Sequence, residues 1–158
     1  MEILMTAFSL PYSLHVLAAL VWVGGMFFAW LILRPAAVSA LQGPERLRLW
    51  VEVFQRFFGW VWVAIAALAI SGVGMLHMRF GGFDAAPRYV QVMMGGSIVM
   101  IALFIRVNTL LFPELRKAVQ AQDWPAGALV LGKIRRLVGI NLLVGIAVVL
   151  VATTRLAI

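Results

Sequence analysis

The chain holds two histidines, His15 and His77, and no cysteine. Each histidine lies in a long apolar run, where an ionisable side chain is costly and by default functional. Met75 and Met78 flank His77, and Met93 with Met94 stands in the next apolar run. Imidazole together with thioether suits copper, and thioether favours the monovalent ion. Two histidines on facing helices could instead hold the iron of haem b, with His15 and His77 as axial ligands. Methionine is also an ordinary packing residue, so the histidines lead the candidate metal-ligating set of His15, His77, Met75, Met78, Met93 and Met94. The lack of cysteine excludes disulfides, thiolate metal sites and cysteine nucleophiles. No residue is singled out as catalytic, and the chemistry reads as metal handling rather than catalysis; an enzymatic role would be that of a haem-dependent oxidoreductase.

A second polar set lies deeper. Arg106 is ten residues before Arg116, about 15 Å along a helix. Asn108 lies two residues on, roughly opposite Arg106, and Asn141 enters the last apolar run at a similar depth. A hydrogen-bond network tying the third and fourth helices is the reading these three support, because a deep arginine needs partners or a path to the headgroups. No aspartate or glutamate lies inside any apolar run, so a carboxylate proton relay is absent.

The elements that must position these residues follow from composition. The 158 residues are 64% hydrophobic and 12% charged, with a mean hydropathy of +1.03. A soluble domain is about half apolar and about a quarter charged, so a soluble enzyme and a disordered chain are both excluded. Charge-free windows predict a single all-α membrane domain over residues 1–158: a four-transmembrane-helix bundle with spans near 9–33, 57–79, 89–113 and 134–155. Each is long enough to cross about 30 Å of hydrocarbon. Segment 34–56, with Pro44 and then Leu47, Leu49, Trp50, Val53 and Phe54 among charges, predicts a short interfacial helix between the first two spans. Segment 79–88 predicts a tight Gly/Pro loop, and Asp123-Trp124-Pro125 a helix start ahead of the fourth span.

The basic residues behind the net charge of +7 gather mostly in two loops, which needs no nucleic-acid partner. Segments 34–56 and 114–136 carry nine basic residues, against three in 79–88 and the termini. That bias predicts a bacterial inner-membrane protein with both termini periplasmic. With the inner-edge arginines as rulers, His15 is 19 residues from Arg34 and His77 is 21 from Arg56, which predicts both imidazoles at nearly the same level, near the outer face. Gly24-Gly25, Gly72 with Gly74, Gly95-Gly96 and Gly139 with Gly145 supply close helix approaches.

The order of motifs resembles the copper resistance protein D (CopD) family. His15, Trp22 and Gly24-Gly25 are similar to its opening His-(x6)-Trp-x-Gly-Gly helix. Gln55-Arg56-Phe57-Phe58 leading to Ser71-Gly72-Val73 resembles its second helix, Arg106-Val107-Asn108 with Pro113-Glu114-Leu115 the end of its third, and Arg135-Arg136 the approach to its last. Gln91 to Met94 stand where a lysine is common in the family, and Asn141 where an acidic residue is common. The pattern is also similar to HemJ-type protoporphyrinogen oxidases, which use a first-helix histidine with haem b. The resemblance implies copper uptake or homeostasis, with copper taken from the periplasmic side and moved into or across the membrane. The partners implied are membrane lipid and a copper ion delivered by a periplasmic copper protein; a homo-oligomer is left open.

Overall fold

A computed structural model describes residues 2–155, with side chains from residue 9 onward. Four helices are long and apolar enough to cross a membrane: α1 (Ser9–Ala40, its backbone helical from Glu2), α2 (Gly43–Phe80), α3 (Arg88–Gln120) and α4 (Trp124–Thr154). No strand is present among the described residues. The chain is thus an all-α, multi-pass membrane protein.

The interfacial helix expected over 34–56 is not a separate element. Residues 34–40 complete α1, only Leu41 and Gln42 connect, and everything from Gly43 belongs to the 38-residue α2. Pro44 sits in the first turn of α2, where its missing N–H costs nothing. Beyond it Leu47, Trp50, Phe54, Phe58 and Val61 are all buried, at helical spacing that runs unbroken past Arg56. Leu47 packs against Gly127 at the start of α4. The apolar face of this segment is therefore satisfied by protein and has none to lay on a membrane surface.

The other connections match expectation. Gly81 closes α2 in the left-handed region at φ 72°, its N–H donating to the His77 carbonyl at 3.1 Å. Asp123 caps α4 by accepting from the Ala126 N–H at 3.1 Å.

The first half of α1 packs on α2, whereas Gly25–Phe28 and Ala29–Leu33 lean towards α4. Trp30 shows the switch: a Cβ on Gly139 of α4 would lie 2.9 Å from its ring. Aromatic rings fill the centre. Phe58 meets Phe54 at 5.3 Å, Phe104 at 5.4 Å and Phe112 at 5.3 Å, and Trp22 meets Phe104 edge-on at 6.2 Å. Such pairs add to plain apolar burial because ring edges and faces carry opposite partial charge. Where α1 leaves α2, a cavity of about 370 Å³ remains, lined by residues including Trp22, Phe54, Phe58, Phe104, Val107 and Asn141.

Candidate functional site

His15 stands in the first half of α1, on the side that packs against α2. Its Nδ1 lies 2.9 Å from the Ser71 Oγ, and the Ser71 hydroxyl bonds the Ala67 carbonyl at 2.5 Å. A hydroxyl has one proton to give. Given to Ala67, it leaves Ser71 as an acceptor, which suits the tautomer with its N–H on Nδ1; the imidazole is also hydrogen-bonded to the Leu68 backbone. In that tautomer the ring lone pair is on Nε2, the atom a metal would take. Gly72 makes room for this arrangement. A Cβ there would stand 3.3 Å from His15 Cε1, tighter than ordinary packing.

Ser71, the residue that holds the His15 ring, stands outside the candidate ligand set. It is 3% exposed and 56 residues from His15 in sequence, so no local spacing joins the two. The available signal was the Ser71-Gly72 pair itself, a hydroxyl beside a residue with no side chain in an apolar helix.

His77 does not share that place. It is exposed, and its Nδ1 donates to the Val73 carbonyl of its own helix at 3.0 Å. Counted along α2, it lies six residues beyond Ser71, about 9 Å further and about 120° round the helix. Equal height required Arg34 and Arg56 to mark one plane. Instead His15, 19 residues from Arg34, faces Ser71, which is 15 residues from Arg56, so the two arginines sit at different levels and the two rulers start from different marks.

The methionines divide by burial. Met75, Met93 and Met94 are half-buried, Met78 is 54% exposed, and the deeply buried Met26 and Met100 belong to the core. Among the described residues no three of His, Asp and Glu gather into a metal site. The candidate donors are an imidazole held by Ser71, an exposed imidazole and thioethers, of which Met93 and Met94 stand on the stretch of α3 that packs chiefly on α4.

Of the deep polar set, only Asn141 is buried. Its Nδ2 donates to the Met100 carbonyl at 3.3 Å, tying α4 to α3, and its Oδ1 has no hydrogen-bond partner among the described residues. Arg106 is exposed and Asn108 half-buried, just where α3 passes through the π-helical turn Val107–Leu111. The link between α3 and α4 thus runs through a backbone carbonyl.

These features define a four-helix membrane protein with a histidine oriented by a buried serine between its first two helices. The family model described as copper resistance protein D matches residues 51–155, about two thirds of the chain, and the chain belongs to that family. Ser71, His77 and the methionine candidates lie inside the match, while His15 precedes it. No curated protein and no solved structure matches the chain. Family membership carries copper resistance and copper homeostasis as the setting in which the protein works.

Proposed function

We propose that the protein binds copper at the end of the bundle that bears the histidines and moves it into or across the membrane. The single observation that carries this reading is the His15–Ser71 pair, an imidazole held in place between two membrane helices in a chain of a copper resistance family. Copper is cargo here. His77 and Met78, both exposed near the end of α2, would receive it from a periplasmic copper protein. His15, about 9 Å deeper, would take it next, with Met75, Met93 and Met94 as thioether donors for the monovalent ion. The basic bias of the loops supports an inner-membrane location with both termini periplasmic. Haem b is favoured less, because bis-histidine ligation needs the two rings to face each other across one iron, and His77 stands about 120° round α2 from the face that His15 occupies.

The test is metal content and absorption spectrum of the purified protein, wild type against variants. His15→Ala should remove most bound copper, and replacing Met93 with Met94 together should weaken Cu(I) more than Cu(II). Undiminished copper in a well-folded His15→Ala protein, or a Soret band that shifts on reduction, would overturn the proposal.

A further inference from the structure

Three arginines converge at the other end of the bundle. Arg34 of α1, Arg46 of α2 and Arg135 of α4 are each half-buried. The Arg34 guanidinium lies 4.7 Å over the Trp30 ring, and that ring is seated on Gly139 of α4. Arg34 and Arg135 line one slot together with Trp30, Trp50 and Phe54, and both Arg34 and Arg46 lie near enough to Arg135 to repel it. Among the described residues, neither Glu45, Glu52, Glu114 nor Asp123 forms an ion pair with any of the three; Glu52 pairs with the exposed Arg56 at 2.7 Å.

Like charges held together by packing, without an opposite charge, make a place for an anion. Planar guanidinium groups match the oxygens of a phosphate in bidentate fashion. The tryptophans on both sides of the slot suit the headgroup level of a bilayer, and basic pockets between membrane helices hold anionic lipid headgroups. We propose that Arg34, Arg46 and Arg135 form a binding site for the phosphate of an anionic phospholipid, with Trp30 and Trp50 as its walls. Inorganic phosphate shares the chemistry but lacks the acyl chains that would lie along the adjoining helices.

The whole protein in detergent, titrated with phosphatidylglycerol and observed as intact complexes by mass spectrometry, tests this. One saturable lipid per chain is expected, preferred over phosphatidylcholine. Arg34→Gln and Arg135→Gln should each weaken it roughly 10–100-fold, the range of a charge-assisted hydrogen bond. Lys133→Gln and Arg136→Gln, which remove the same charge from exposed positions, should cost no more than about fivefold, the worth of one surface cation. Arg34→Gln, lying on a different helix, decides the matter should Arg135→Gln fail to fold. Equal losses in all four variants, or no phosphatidylglycerol preference, would overturn the site. Displacement of the lipid by millimolar inorganic phosphate would overturn the lipid as its occupant in favour of the free ion.

Discussion

At the scale of single residues, the tautomer of His15 is the feature with the most chemistry in it. The outer partner of a metal-binding histidine raises its basicity and fixes its ring, and its loss costs about 10–100-fold in metal affinity. Ser71→Ala should therefore weaken copper retention about tenfold while the helical content stays unchanged, and Ser71→Thr, which keeps the hydroxyl, should restore most of it; equilibrium dialysis reads both. Asn141 gives the opposite kind of expectation. Its amide spends a long hydrogen bond on Met100 and leaves Oδ1 unpaired. Asn141→Leu should change stability by no more than about 1 kcal/mol, because removing an orphaned acceptor offsets the lost bond. Asn141→Asp, burying a charge with no cation beside it, should destabilise by about 3 kcal/mol or more. Unfolding in mixed micelles measures the pair. His15 stands out in the sequence as a candidate because an ionisable group in an apolar run is rare. Ser71 did not stand out, because hydroxyls in membrane helices commonly bond their own backbone, as this one also does.

Helix continuity is the lesson at the scale of elements. The four spans were legible from charge-free windows, yet charge is a poor guide to where a helix ends. Arg46, Arg48 and Arg56 suggested an exit from the membrane and a change of element. Capping residues and prolines decide helix ends, and between Pro44 and Gly81 the chain offers no such stop. Spin labels at the exposed positions Glu45 and Ala66 should report backbone separations near 31 Å, narrowly distributed, for 21 residues of straight helix. A surface helix turned at right angles before residue 57 would give about 22 Å. The direction of the bundle is tested through its lack of cysteine. A cysteine at Asp84 should react with an impermeant reagent in intact cells, and cysteines at Arg46 or Ala121 only after permeabilisation. The reverse pattern would put the histidines on the cytoplasmic side and overturn the proposed direction of entry.

For the whole molecule, the number of helices and their apolar surfaces could be read from sequence, and the family resemblance could be read from short motifs. What could not be read is the path of α1, whose backbone leans towards α4 after Trp22, where Gly139 admits the Trp30 ring, while Gly25 still meets the Phe57 ring of α2. Rotation and crossing of helices depend on such long-range pairs, and periodicity alone carries none of them. The same departure leaves the 370 Å³ cavity, walled by the rings of the aromatic core and open on one side past Phe28. A space of that size, apolar on every side but for Asn141, interrupts an otherwise close-packed body. Hydrostatic pressure favours whichever state eliminates such voids, so this bundle should yield to compression earlier than its thermal stability suggests. Tryptophan emission followed under rising pressure should shift first through Trp22, which lines the space, and Ala29→Phe, by filling it, should move that shift to higher pressure.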